Sequence, residues 1–377
     1  MPFVLLGNPE NRRVRFFQNA LVRFNQPPAT IISWLDLLRN RARPKTILQP
    51  GHVLRIDSPG ENFEVDKLLL EIGENETDEV GNPPRISRKK IRRLTSEKGR
   101  ILYPRQWYLG FRKILRGIQA ILQTIPDIRV THPPSDIEIM FDKRLCHQHC
   151  STHAVPVPPH LGNVCSFDEL MVKMASSHIK RVFTKLANGS SASGVVALET
   201  NGKYLQAFTS VEIVRTQQNL KLYNSLKIQR YRNLRDIRGI VDAICREGAH
   251  VEKWMPKAGW QGHCCDMRVI TIAGKAQHAV LRLSKSPMAN LHLGNRRGNL
   301  AEFIVYLGDD RWTKAKTTCQ RAASVFPQSL HTGVDLLFGP GFKQCVIAEI
   351  NAFGDLLPNV MYNGLDTYEA QVLGLLL

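Results

Sequence analysis

The segment Gly333-Val-Asp335-Leu-Leu-Phe-Gly-Pro-Gly-Phe-Lys-Gln-Cys-Val-Ile-Ala-Glu349-Ile-Asn351 constrains the fold more than any other part of the chain. Two apolar stretches flank Gly339-Pro340-Gly341, which predicts an antiparallel hairpin. A turn over roughly residues 339–345 sets Asp335 directly opposite Glu349. Asn351 follows two residues later and therefore shares the face of Glu349. Carboxylates facing each other across a strand pair are destabilising unless a cation lies between them. Two carboxylates and an amide oxygen are hard oxygen donors, suited to Mg²⁺ bridging nucleotide phosphates. The plain alternative is an edge hairpin with solvated acids. The strongly apolar flanks favour the cation.

Strand and helix signals alternate through the first third. Strands are expected at Phe3–Leu6, Thr30–Ile32 and Val53–Ile56, with helices over 11–24 and 63–72. This alternation favours a parallel α/β layer. Residues 73–105 are polar and turn-rich and read as a long exposed excursion. An amphipathic helix follows over 107–125, then a last strand at 128–130. Residues 136–150 read as one helix, and Ala154-Val-Pro-Val-Pro-Pro159 as an extended linker. Strands are expected next at 182–186, 195–198, 211–214 and 251–254, then a hairpin of 267–272 and 278–283 around Gly274.

Three further segments carry candidate chemistry. Phe183-Thr-Lys185 ends a strand and leads into Leu-Ala-Asn-Gly189-Ser190-Ser191-Ala-Ser193-Gly194. Small side chains let such a loop bring its backbone N–H groups close to phosphates, and Lys185 adds a point charge. A flexible hairpin with an exposed lysine is the competing reading. Asp266 and Arg268 alternate onto one face of a strand, with Arg282 on the strand paired to it. Arg282 could neutralise a transferred phosphoryl group, or either arginine could serve a structural salt bridge. The loop Asn290-Leu-His292-Leu-Gly294-Asn-Arg296-Arg297-Gly298 is rich in donors. There is no G-x-x-x-x-G-K-[ST] loop, no G-x-G-x-x-G fingerprint, and no kinase or α/β-hydrolase signature.

The order of these pieces is more specific than any one of them. Asp142-Lys143, Ala154-Val-Pro-Val-Pro, the Lys185 loop, Glu252, Asp266-x-Arg268, Arg282, Asp335 and Glu349-x-Asn351 together resemble the ATP-grasp superfamily. The likeness is greatest to its ribosomal-protein glutamate ligase-like branch. The phrases Leu5-Leu-Gly-Asn-Pro-Glu-Asn-Arg-Arg and Arg55-Ile-Asp-Ser-Pro-Gly-Glu-Asn-Phe look like those of an uncharacterised bacterial subgroup. The resemblance covers roughly residues 140–360. It implies an α/β pre-grasp domain over 1–135, then an α+β ATP-grasp fold of two subdomains. The first, 136–250, would carry the phosphate-covering loop, and the second, 251–377, the Mg²⁺ site. It further implies that Lys143 and Lys185 contact phosphates and that the loop Gly189, Ser190, Ser191, Ser193 and Gly194 closes over them. Glu252, Lys253, Trp254 and Met255 would form the adenine hinge, with Asp266 near the nucleotide. Arg282 would stabilise an acyl phosphate, with Lys185 assisting catalysis. Asp335, Glu349 and Asn351 would hold Mg²⁺, with Mn²⁺ as the alternative ion. The implied activity is an ADP-forming ligase joining a carboxylate to an amine or another nucleophile. Two departures fall on the acceptor side: Asn351-Ala-Phe-Gly replaces the Pro-Gly turn of many relatives, and the stretch from Glu252 to Asp266 is long.

The formal net charge of +18 is the compositional anomaly in this 377-residue chain. Eight of the basic residues lie between Arg85 and Arg100, against Glu97 alone. Such a run could meet an acidic peptide, phosphates or nucleic acid, or be a solvated face. It lacks the interleaved aromatics of a single-strand binding platform, so nucleic acid is not the expected partner. A basic binding protein without turnover is the alternative to the ligase. With no membrane-length apolar stretch and no secretory signal, a cytoplasmic location is expected. Cys146, His149, Cys150 and His153 fall on one helical face, a spacing open to zinc but more often to plain packing. Cys264-Cys265 reads as strand-edge thiols rather than a nucleophile or redox pair.

Overall fold

A computed structural model gives the architecture and describes residues 1–78, 82–190, 192–215 and 220–377. The first sheet is parallel, with strands in the order Thr30–Ser33, Phe3–Gly7, Val53–Ile56 and Arg129–Val130. Near-continuous apolar strands such as Phe-Val-Leu-Leu are buried on both faces, as parallel sheets require. The helices Arg12–Arg23, Phe63–Gly73 and Pro104–Leu122 cover it. Asn11 and Asn62 cap the first two by accepting from free backbone N–H groups.

A five-stranded antiparallel sheet follows, in the order Leu220–Tyr231, Leu205–Arg215, Val195–Thr200, Arg181–Leu186 and Ala249–Lys253. The helices Phe167–Ser176 and Leu234–Arg246 close one face with their own core, which includes Val182, Leu198, Ile240 and Ile244. The third sheet is also antiparallel. Its order is Arg296–Arg297, Lys275–Ser284, His263–Ile272, His331–Phe338 and Cys345–Asn351, with Gly259–Trp260 paired to His263–Ile272. Met267, Leu281, Val334 and Ile350 alternate onto its apolar face, in one core with Ala315 and Cys319 of helix Asp309–Ser324. The alternate positions hold Asp266, Arg268, Arg282, Asp335, Glu349 and Asn351 on the other face.

Three features depart from the sequence expectations. Residues 136–150 form two helices, Pro134–Phe141 and Lys143–Thr152, because Asp142 turns extended and caps the second. The excursion 73–105 is anchored rather than loose. Arg85 donates to the carbonyls of Gly73, Glu74 and Glu76, Ile86 and Ile91 are buried, and Arg100 bridges antiparallel to Tyr223. Its cations Arg88, Lys89, Lys90, Arg92, Arg93 and Lys98 stay exposed. The C-terminal helix Thr367–Leu376 returns to the first unit, where Tyr368, Val372 and Leu375 pack with Phe17 and Leu21.

Two helices of the first unit cross at their backbones. A Cβ on Gly73 would lie 1.9 Å from the Gln106 carbonyl oxygen, and one on Gly110 would lie 2.0 Å from that of Leu69. Neither backbone oxygen can rotate away. Gly110→Ala is expected to destabilise the protein by about 1–3 kcal/mol through overpacking. Thermal unfolding of the variant checks this, and an unchanged midpoint would show that the helices separate freely.

Candidate functional site

The residues singled out from the sequence converge between the second and third sheets. Asp335 lies opposite Glu349 and Asn351 opposite Gly333. The expected pairing is reached through a bulge between Asp335 and Leu336, since Leu336 pairs Ile347. Asp266 faces Arg282, and Arg268 faces Asp335. Around the strand His263–Ile272 the cross-strand partners are therefore opposite in charge. Arg268 grips both oxygens of Asp335, at 2.6 and 2.9 Å. Arg282 reaches Asp266 through Nε at 2.6 Å and Asp335 through Nη1 at 3.0 Å. Lys257 adds a contact to Asp266 at 2.7 Å. Both arginines thus make the salt bridges that were the structural alternative, in a row that also faces the cleft.

Burial opposes the charge on Asp335, but the Arg268 and Arg282 guanidiniums outweigh it and hold its carboxyl below the usual range. Burial likewise works against Arg282, and Asp266 and Asp335 more than offset it, so its pKa is raised.

Lys143 joins the two sheets. Its Nζ donates to the Gly189 carbonyl at 2.5 Å and lies 2.9 Å from Glu349 Oε1. The loop it holds demands glycine at both ends. A Cβ on Gly189 would meet the Ser193 carbonyl at 2.7 Å, and Gly194 has φ +63° with Leu186 packed against it. Ser193 N–H donates to Ser190 O across the turn, and Ser190 is exposed. Ser191, expected in this loop, lies outside the described residues.

Lys185 shares a strand face with Phe183 and, on the neighbouring strand, with His250 and Glu252. Its Nζ is 2.6 Å from Glu252 Oε1, and His250 Nε2 is 2.9 Å from Oε2. Burial depresses the His250 pKa, so its neutral imidazole donates to the carboxylate. Burial disfavours ionised Glu252, yet Lys185 and His250 bring its carboxyl down to about 2. Trp254 continues this face and meets Phe183 with ring centroids 5.5 Å apart. Lys253 alternates onto the other face and is exposed, so any adenine contact there would come from its backbone. Met255 follows, half-buried. Met288, just before the donor-rich loop, and Leu293 within it pack on Val195 and Ala197 and bring the third unit against the second.

The donor set suits a hard cation. Asn351 Nδ2 donates to the Gly333 carbonyl at 3.2 Å, which leaves its amide oxygen beside the two facing carboxylates. Carboxylate oxygens carry further lone pairs beyond those the guanidiniums take. The zinc reading has no such support. His149 is hydrogen-bonded to the Val325 carbonyl and His147 to that of Pro158. Among the described residues no three His, Cys, Asp or Glu side chains are grouped to hold a metal ion. Cys146 and Cys150 are buried in the core. Cys264 is exposed while Cys265 is buried, its thiol pushed up by burial to about 12.

Sequence reasoning missed several partners. Lys257 on Asp266 and His250 on Glu252 are visible only once the strands pair. Arg105 is a buried joint that no local pattern in the sequence signals. It holds Asp78 at 2.7 Å, Asp142 at 2.6 Å and the Asn188 oxygen at 3.2 Å. Arg55 and Asp57, in the phrase that carries the subgroup resemblance, are buried in an ion cluster with Asp355.

Glu252 also sets a pH dependence. Its folded pKa of about 2 lies below the ordinary 4.5, so its contribution is complete above pH 4.5 and is lost as pH falls from 4.5 toward 2. The wild type should lose roughly 3 kcal/mol more than Glu252→Gln across that window. Denaturant unfolding of both at several pH values measures the difference, and parallel slopes would contradict the assignment.

No family model matches the sequence. No curated protein matches it either. Solved structures do. The chain is similar to the D-cycloserine synthetase DcsG, with TM-score 0.55 and 11% identity over 99% of both chains. It is similar to the ATP-grasp ligase PsnB, solved with a phosphomimetic variant of a minimal precursor, Mg and ADP. That match has TM-score 0.53 and 13% identity over 99% of this chain and 98% of the other. The D-alanine–D-alanine ligase of Bacillus anthracis matches at TM-score 0.52 and 9% identity, over 100% of this chain and 96% of its own. With likeness running through the whole chain from the parallel sheet to the last helix, this protein has the ATP-grasp fold, an α/β unit followed by two α+β subdomains.

Proposed function

We propose that the chain is an ATP- and Mg²⁺-dependent ligase that joins a carboxylate to an amine or another nucleophile and forms ADP. The observation that carries this reading is the two-sided cleft. Lys143 touches both the Gly189 loop and Glu349, so the glycine-rich loop and the carboxylate hairpin meet at one side chain. DcsG, PsnB and the D-alanine–D-alanine ligase support it as fold relatives named for ligase or synthetase activity. The motif order favours the ribosomal-protein glutamate ligase-like branch. The domain limits 1–135, 136–250 and 251–377 belong to the same reading.

Each group then has a task. Lys143, Lys185 and the backbone of Gly189 to Gly194 bind phosphate oxygens. Residues 252–255 and Asp266 border the nucleotide. Asp335, Glu349 and Asn351 hold Mg²⁺, or Mn²⁺ in its place, and the ion would neutralise charge on the β- and γ-phosphates. A substrate carboxylate oxygen attacks the γ-phosphorus as the bond to ADP breaks. Arg282, fixed by Asp266 and Asp335, neutralises the acyl phosphate. The nucleophile then attacks the acyl carbon, loses its proton, and phosphate departs with the C–O bond electrons. Most of the rate enhancement comes from positioning and charge stabilisation. No helix among the described residues is long and apolar enough to cross a membrane, and we place the enzyme in the cytoplasm. The charge of +18 favours an acidic substrate, and a peptide is one candidate because PsnB was solved with a precursor peptide.

The second reading is a non-catalytic binder of acidic peptide or nucleic acid, resting on the exposed cations of residues 88–98. Thermal unfolding separates the two. Mg²⁺-ATP at 100 times its dissociation constant should stabilise the wild type by about 2.7 kcal/mol. Lys185→Ala should lose this response, and Asp335→Asn should lose its Mg²⁺ dependence. No response at millimolar ATP, together with steeply salt-dependent nucleic-acid binding, would favour the binder.

A further inference from the structure

The strand order of the third sheet acts as a ruler across the cleft. From the cation end it runs through Glu349, Asp335, the Asp266 and Arg268 strand, Arg282 and finally Arg297. Neighbouring strands are about 4.8 Å apart. Arg297 pairs directly with Arg282, so the two share the cleft face, while Arg296 pairs with Leu283 and turns toward the opposite one. Arg282 is compensated by Asp266 and Asp335. Arg297 is exposed, and none of the ion pairs among the described residues uses it. Like charges directly opposite are unfavourable, so the pairing with Arg282 itself works against a second guanidinium there. Arg297 is nevertheless held, because its Nη1 donates to the Pro358 carbonyl at 3.0 Å. Pro358 ends the segment that leaves the cation hairpin at Asn351.

We infer that Arg297 is a specificity-determining residue that binds a second carboxylate of the activated substrate, one strand beyond Arg282. This rests on the ligase reading, which places the acyl phosphate at Arg282. The rest of the activated molecule must then extend away from the cation, toward the strand that carries Arg297. A guanidinium with free donors, anchored at one nitrogen, is preorganised for a planar carboxylate. The substrate class is therefore dicarboxylic, with its two carboxylates a few bonds apart, as in an acidic side chain near another acid.

The test uses the full chain loaded with Mg²⁺ and a non-hydrolysable ATP analogue, at constant ionic strength. The probes are glutarate and valerate, which differ by one carboxylate. Wild type should be stabilised in thermal unfolding by glutarate at a concentration at least about tenfold below that needed for valerate. Arg297→Ala should abolish that preference without altering the valerate or nucleotide response, and Arg297→Lys should restore part of it. A wild type with no preference, a preference surviving in Arg297→Ala, or a nucleotide response lost in that variant overturns the inference. Failure of the nucleotide itself to stabilise wild type would instead bring down the ligase reading.

Discussion

Asp335 is the residue on which the cleft depends. It is almost fully buried, grips Arg268 with both oxygens and shares one of them with Arg282. Charges withdrawn from water are tolerable only if each finds a close partner. Here the partners come from neighbouring strands, so electrostatics and strand register are one constraint. A slip of one residue in the Asp266 strand would turn Asp266 and Arg268 into the apolar layer beneath helix Asp309–Ser324, and Met267 into the cleft. The polar row therefore specifies the sheet that presents it.

Two further ion clusters fix the units around this row. Arg105 ties the first unit to Asp142, one residue before Lys143, and to Asn188, one residue before the glycine loop. Arg55 reaches Asp355 at 2.8 Å, and its guanidinium sits over the rings of Phe17 and Tyr368. Asp355 lies four residues beyond Asn351 and also pairs with Arg13. Gly354 packs on Gly333 so closely that a Cβ would fall 2.7 Å from its Cα, and Arg268 donates to the Gly354 carbonyl. The chain that leaves the candidate cation site is thus pinned within a few residues to the carboxyl end of the parallel sheet. Arg55 Nε and Asp57 Oδ2 lack partners in this cluster, so the lock is held at some electrostatic cost.

Much of this was legible in the sequence because strand alternation is strict. Asp335 opposite Glu349, and Arg282 on the strand beside Asp266, both follow from apolar residues at every second position. What was hidden belongs to long-range pairing. Arg105 sits in an ordinary helix start, and no local pattern shows that Asp142 and Asn188 will meet it. Strand Leu220–Tyr231 was missed because it is an edge strand with both faces partly exposed, which leaves its alternation weak. The last helix read as part of the third unit because sequence proximity says nothing of its contact with Phe17. The Cys146 and His149 face was open to zinc on spacing alone. On that face the thiols are buried in the core, and His149 is hydrogen-bonded to the carbonyl of Val325, which caps helix Asp309–Ser324.

The resting charges also say how a nucleotide could enter without stranding any of them. Lys143, Lys185 and Arg282 are each occupied by a carboxylate: Glu349, Glu252, or Asp266 with Asp335. Under the proposed activity, a divalent cation held by Asp335 and Glu349 would compensate those two acids. Lys143 and one arm of Arg282 would then be free to supply counter-charge to phosphates. Glu252 is different, because His250 donates to it independently of Lys185, so it keeps a partner if the lysine turns to phosphate. Binding becomes an exchange of partners rather than a fresh desolvation of buried ions. On that reading a cleft this densely paired could accept a highly charged ligand.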